Sequence, residues 1–281
     1  MTTLEGRTLL MSGGSRGIGL AIAVRAARDG ANVLLLAKTD QPHPHLPGTV
    51  HTAVAEIEQA GGRAAAVVGD VRRDEDVERA VATAVDRFGG VDVVVNNASA
   101  LDLRRTPDIP MKSYDLMQDI NARGTFLLSK LALPHLAVSD RAHILTLSPP
   151  LDLRPRWAGS YLAYTMAKYG MSLVTLGLAE ELREAGIAAN SLWPRTTIAT
   201  AAVANLLGGA DGVARTRTPE IVADAAHAIL TRDSRSCTGN FFIDEDVLAD
   251  EGITDFDRYR AGDGELPLDA DLFLDPVTTA R

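Results

Sequence analysis

Ser12-Gly13-Gly14-Ser15-Arg16-Gly17-Ile18-Gly19 decides the fold. The apolar run Thr8–Met11 precedes it, and the apolar-periodic stretch Gly17–Asp29 follows directly. Glycine permits a tight turn and lets backbone approach a pyrophosphate; the helix opening behind it offers free N–H groups and the positive end of its dipole. A glycine-rich segment alone says little, but one set between a strand and a helix reads as a dinucleotide-binding βα unit. Gly13, Ser15, Arg16, Gly17, Ile18 and Gly19 are the residues expected at the pyrophosphate.

The same alternation continues outward. Continuous apolar runs at Asn32–Ala37, Ala64–Val68, Val91–Val95, His143–Leu147, Ala188–Trp193 and Asn240–Ile243 read as strands covered on both faces. Helical patterns at Thr52–Ala60, Asp74–Phe88, Lys112–Ala137, Ala158–Ala185 and Pro219–Thr231 lie between them, with Asp74 placed as an N-cap. This predicts an α/β fold: a Rossmann-type, doubly wound, seven-stranded parallel sheet with helices on both faces. Residues 1–243 form one domain in this reading. Residues 244–281 form an acidic extension, and its Phe256, Tyr259, Leu266, Leu268, Leu272 and Phe273 are apolar enough to pack on that domain.

Strand ends supply the rest of the expected cofactor site. An NAD-type site usually presents an acid after the second strand, where it meets the ribose. Here Ala37-Lys38-Thr39 stands instead, so Lys38 and Arg16 favour NADP, with NAD possible. Asp70, followed by Val71, is placed for the adenine amino group or as a helix cap. Asn97, Ala98 and Ser99 end the fourth strand where such sheets place ligands.

The set SGGSRGIG, Asp70, NNAS, Asn121, Ser148 and Tyr164-Thr-Met-Ala-Lys168 resembles the short-chain dehydrogenase/reductase family over residues 7–243. AKTDQPHPHLPGT, ILTLSPPLDL, AYTMAKYGMS and LWPRTTIAT are most similar to its hydroxysteroid dehydrogenase-like subgroup. Longer members of that subgroup carry a sterol-carrier domain, for which this sequence ends too early. Tyrosine has a pKa of about 10, so a base at neutrality needs help; Lys168, one helical turn on, would favour the phenolate and hold the nicotinamide ribose. Tyr164 would then exchange a proton with a carbonyl/alcohol pair, Ser148 would hydrogen-bond the substrate oxygen, and the resemblance makes Asn121 a water-mediated relay to the lysine. Pro194, Thr196 and Ile198 are expected beside the nicotinamide. Two departures stand out: Ser148 precedes Tyr164 by 16 residues, a longer gap than the family's, and Arg195 follows Pro194 where the family has glycine.

Composition narrows the partners. The 281 residues carry a net charge of −9, and residues 245–281 hold 11 acids against three arginines. That balance opposes nucleic acid binding. No apolar run reaches the roughly 20 residues of a membrane span, and neither terminus reads as a targeting signal, so a cytoplasmic protein is expected. Cys237 is the only cysteine, and His43 and His45 lack companion ligands, so no metal site is expected. Met166, Met171, Leu173 and Leu176 mark a core or subunit face, and the resemblance implies a homodimer or homotetramer. Leu151, Leu153, Trp157, Leu206 and Leu207 suggest an apolar carbonyl/alcohol substrate; Arg154, Arg156 and Arg195 are either solvated charge or receivers of an anion on it. A cofactor-binding regulatory or scaffold protein with little turnover is the alternative.

Overall fold

Alternation along each strand builds two cores from one sheet. Leu9 and Met11 of β1 (Thr8–Ser12) join Val33 and Leu35 of β2 (Asn32–Ala37) in one buried cluster; Leu10, Leu34 and Leu36 join the other. Both faces are apolar because successive side chains point to opposite sides of a strand and both sides are roofed by helices. β3 (Arg63–Val68), β4 (Val93–Asn96), β5 (His143–Thr146), β6 (Ala188–Trp193) and β7 (Phe241–Ile243) complete a parallel sheet of order β3-β2-β1-β4-β5-β6-β7. The order reverses between β1 and β4, where open α/β sheets leave a crevice at the carboxyl ends of their strands. This computed structural model describes residues 3–42, 47–201, 203, 210–262 and 266–275; His43, His45, Leu206 and Leu207 lie outside them.

One face is roofed by α1 (Gly17–Ala27) and a helix at Glu220–Leu230, the other by α3 (Asp74–Phe88), α5 (Gly124–Leu136) and α7 (Leu162–Glu181). α2 (Val50–Gln59) starts on a capping box between Thr49 and Thr52. Asp74 is not the cap of α3. Arg73 takes that position, and Asp74 is the first helical residue, its carboxylate 2.7 Å from Arg123.

Two helices expected to run unbroken are interrupted. Residues 111–136 form α4 (Met111–Met117), a π-helical turn at Gln118–Arg123, and α5. A π turn adds a residue to one turn of a helix and is often found at functional sites; this one carries Asn121. The Ala158–Ala185 helix is divided at Tyr161 (φ −146, ψ 61) into α6 (Pro155–Ser160) and α7. Gly170 lets α7 approach the π turn, since a Cβ there would sit 2.8 Å from that of Ala122. β7 runs straight into a further helix at Asp244–Asp250, whose first turn carries three acids that suit the helix dipole.

Candidate active site

The crevice between β1 and β4 is held by a clamp. The Ser12 hydroxyl accepts the N–H groups of Asn97 and Ala98 at 3.2 Å each, and Asn97 Nδ2 donates to the Ser12 carbonyl. Gly13 turns with φ +79, and a Cβ on it or on Gly19 would lie 2.5 Å from Asn97 Nδ2. Above this clamp opens a cavity of about 460 Å³. Gly13, Ser15, Arg16, Gly17 and Ile18 line it at the helix start, Lys38, Asp70 and Val71 at one end, and Asn97, Ala98 and Ser99 at the other. Gly19 lies beneath, as packing rather than lining. A side-chain-free cradle at a helix N-terminus fits a pyrophosphate.

The two cations expected for a 2′-phosphate differ. Lys38 stays half exposed, its Nζ 3.2 Å from Asp70, which also pairs with Arg72 at 2.7 Å. Arg16 is already engaged: Nε and Nη2 donate to the carbonyls of Pro47 and Gly48. It therefore fastens the loop after β2. Asp70 is held ionised well below the usual carboxylate range because the Arg72 and Lys38 hydrogen bonds outweigh its burial.

Tyr164 and Lys168 are both buried on α7, beyond the end of that cavity. Burial drives the phenol well above its ordinary value, with Asp271 adding to the rise and Ser99 offsetting part of it. Burial lowers Lys168 to about 7, with Asp271 opposing. The ammonium therefore does not produce a low phenol pKa here. Its Nζ donates to the Leu147 carbonyl at 2.8 Å and lies 5.1 Å above the Trp193 ring.

Ser148 and Asn121 are fully buried in the same region, but their polar atoms are engaged elsewhere. Ser148 Oγ is 2.8 Å from Ser191 Oγ, which donates on to Thr175. Asn121 accepts from the Ala100 N–H at 2.7 Å and donates to the Ala100 carbonyl, so its side chain fixes the segment after β4. Pro194, Thr196 and Ile198 are buried after β6, and Thr196 Oγ1 has no hydrogen-bond partner. A buried hydroxyl with no partner among the described residues fits a group that would be met there on binding. Arg195 donates through Nη2 to Asp246, so it is not free for a ligand.

Residues 266–275, which the local patterns did not place, complete this end. Trp193 Nε1 donates to the Leu272 carbonyl at 2.9 Å, and the Asp271 N–H donates to Arg195 at 3.1 Å. Phe273 packs 6.0 Å from the Tyr164 ring at an interplanar angle of 28°. Burial, with Asp244 adding, raises Asp271 to about 7 against the Leu272 N–H and Lys168. Asp244 is also raised to about 7 by burial. Its Oδ1 accepts from Arg195 and Glu245 N–H groups, while Oδ2 is buried without a partner. The apolar residues of this tail, Phe256, Tyr259, Leu266, Leu268, Leu272 and Phe273, hinted that it packs; their spacing carried no signal for a place beside Tyr164.

Comparison with known proteins agrees with this geometry. Residues 7–232 match the family profile described as short chain dehydrogenase. Hydroxysteroid dehydrogenase-like protein 2 of Danio rerio is 55% identical over 97% of this chain, and its Homo sapiens counterpart 51% identical over 99%. The match covers 65% of each relative, so the chain spans just under two thirds of their length. A solved structure from Xanthomonas campestris is 55% identical with a TM-score of 0.94, covering 97% of this chain and 99% of that one. A short chain dehydrogenase from Mycobacterium thermoresistibile is 54% identical with a TM-score of 0.92, covering 97% and 96%.

Asp244 sets a testable pH dependence. Its carboxyl is raised from 3.8 to about 7, so it favours the folded state fully below 3.8, and that contribution is lost as pH rises through about 7. Asp244→Asn keeps the acceptor for both N–H groups and removes the buried charge. In urea unfolding, the variant should gain on the wild type by up to about 1.4 kcal/mol per pH unit across that window, then level off. A constant difference from acid to alkaline pH would refute this.

Proposed function

The chain belongs to the short chain dehydrogenase family, and from that premise we propose that it interconverts a carbonyl and an alcohol on an apolar small molecule using NADP. The family makes it an oxidoreductase acting with a nicotinamide cofactor on a small molecule. The observation that carries the finer reading is the burial of Tyr164 and Lys168, one helical turn apart, at the end of a glycine-cradled crevice. The cofactor, when bound, supplies the hydride.

The chain's own residues handle the proton. Burial keeps the Tyr164 phenol protonated through neutrality, the form that would give a proton to a carbonyl oxygen in the reductive direction. Lys168, lowered to about 7 by burial, can return a proton to the phenolate left behind. Because the Ser148 hydroxyl is bound to Ser191, we assign the second hydrogen bond to the substrate oxygen to Ser99, which stands near the phenol. Ser148 then supports the strand end, and Asn121 positions Ala100 beside Ser99.

Turnover of ketones and aldehydes with NADPH tests the whole reading. Tyr164→Phe should abolish it. Ser99→Ala should lower kcat by about 100-fold, a magnitude usual for loss of one oxyanion donor, with a smaller effect from Ser148→Ala. Hydride transfer persisting in Tyr164→Phe would reject the assignment.

The preference for NADP rests on Lys38, since Arg16 is engaged by backbone. Among the described residues Asp70 is the only acid lining the cavity, and two cations already neutralise it. A 2′-phosphate would draw Lys38 from that pair. In fluorescence titrations Lys38→Ala should weaken NADPH about tenfold and leave NADH nearly unchanged. Tighter NADH binding by the wild type would sink the preference.

We assign α5 and α7 to a homodimer interface. Phe126, Met166, Leu173 and Leu176 are about half exposed there, while Met171 is buried. Such an exposed apolar face fits a second copy. Light scattering should give a dimer mass or a multiple of it for the wild type and a monomer for Leu173→Glu/Leu176→Glu; a monomeric wild type would exclude it.

A further inference from the structure

Phe273 is the only non-glycine residue at positive φ (+70) among the described residues. A bulky side chain rarely adopts that conformation, so the backbone is strained there. The strain places its ring, only 3% exposed, among four aromatic rings. Centroid distances are 5.4 Å to Tyr169, 6.0 Å to Tyr164, 6.0 Å to Trp193 and 6.3 Å to Trp157. Two residues on, Asp275 pairs with both Arg154, at 3.0 Å, and Arg156. Arg156 in turn lies over the Trp157 ring at 4.6 Å. Among the described residues, Asp275 is the only carboxylate paired with Arg156.

An aromatic seat on the catalytic tyrosine is thus filled by one short segment of the chain, whose Asp275 also closes a two-arginine clamp at its rim: it takes Arg156 and the Nη1 side of Arg154, Asp152 holding the other side of Arg154. We propose that Phe273-Leu274-Asp275 occupies the substrate's place, and that the substrate is a carbonyl compound with a flat apolar body and an anionic group, carboxylate or phosphate. This rests on the catalytic reading above and names the substrate class for that site. The anion replaces Asp275 on Arg154 and Arg156, and the apolar body replaces the Phe273 ring on Tyr164.

Energetics allow the exchange. Asp275, Arg154 and Arg156 are about half exposed, and ion pairs as exposed as these are weak and readily exchanged. Leaving the site also releases the backbone strain at Phe273. A permanent wall would need neither a strained backbone nor a carboxylate held on a rim arginine that has no other acid. The attachments at Arg195, Thr197 and Arg215 lie before Leu272, so residues 273–275 can withdraw while Asp269 stays bound to Arg215.

Binding separates this inference from catalysis. The 281-residue chain is titrated by calorimetry with 4-acetylbenzoate, 4-acetylphenyl phosphate and the neutral methyl 4-acetylbenzoate. Trp157 and Trp193, the chain's only tryptophans, both border Phe273, so their fluorescence reports its departure. At least one anion should bind about tenfold more tightly than the ester, with a change in that fluorescence; which anion does so separates carboxylate from phosphate. Asp275→Asn should tighten the anion severalfold and leave the ester unchanged, and Arg156→Gln should erase the anion's advantage. Equal affinities for anions and ester, including no measurable binding by any, or an anion affinity unaffected by Asp275→Asn, overturns the inference. The expected binding pattern without hydride transfer upholds the site and rejects the redox reading; ketone turnover without an anion preference rejects the site alone.

Discussion

The hydrogen-bonded clamp between Ser12 and Asn97 is the constraint on which the crevice depends. It joins the carboxyl ends of β1 and β4 where the sheet reverses its order, and it brings the Asn97 amide against the first turn of α1. No Cβ fits beneath that amide at residues 13 or 19. The glycines are therefore set by packing below as much as by a ligand above. The same clamp directs the chain from Asn97 to Ala100, and Asn121 holds the far end of that segment. The glycine-lined cavity and the buried Tyr164–Lys168 end are two sides of one short, doubly fastened strand exit.

Desolvation governs the buried end around Tyr164. Tyr164, Lys168, Asp244 and Asp271 are all shifted first by burial, each toward its neutral form. The tail adds to the cover, because Phe273 packs on the phenol ring. Its acidity is structural as well: Asp269 binds Arg215, and the Asp271 N–H donates to the Arg195 carbonyl. A charge excess that looks like a solvated surface in composition is here partly an inventory of specific pairs.

Much of this was legible in the sequence because it is local. Strands covered on both faces announce themselves as continuous apolar runs, and the glycine loop and Tyr164–Lys168 spacing carry their geometry within a few residues. What was not legible depends on distant partners. The π turn at Gln118–Arg123 keeps helical composition, so no periodicity marks it. Arg16 is diverted by carbonyls over 30 residues away, and Phe273 meets Tyr164 across more than 100. Asp74 lost the cap position by one residue, within the usual uncertainty of helix ends.

Ser148 shows how a correct position can still give a different contact. It follows β5 directly, as a residue at a strand's carboxyl end should if it is to face a ligand. Yet both neighbouring carbonyls are taken by α7: Leu147 accepts from Lys168, and Pro149 accepts from Ser172. These bonds dock Leu147–Pro149 against the helix, and Pro149-Pro150 restrict the backbone beyond. The Ser148 hydroxyl is then left in the layer between sheet and helix, where Ser191 and Thr175 complete a buried run of hydroxyls. Moving it toward the phenol would leave Ser191 with one fewer partner in a place water does not reach, at a cost of about 1–3 kcal/mol. Ser99 meets no such obstacle, because it stands on the crevice side of the same clamp that holds Asn97.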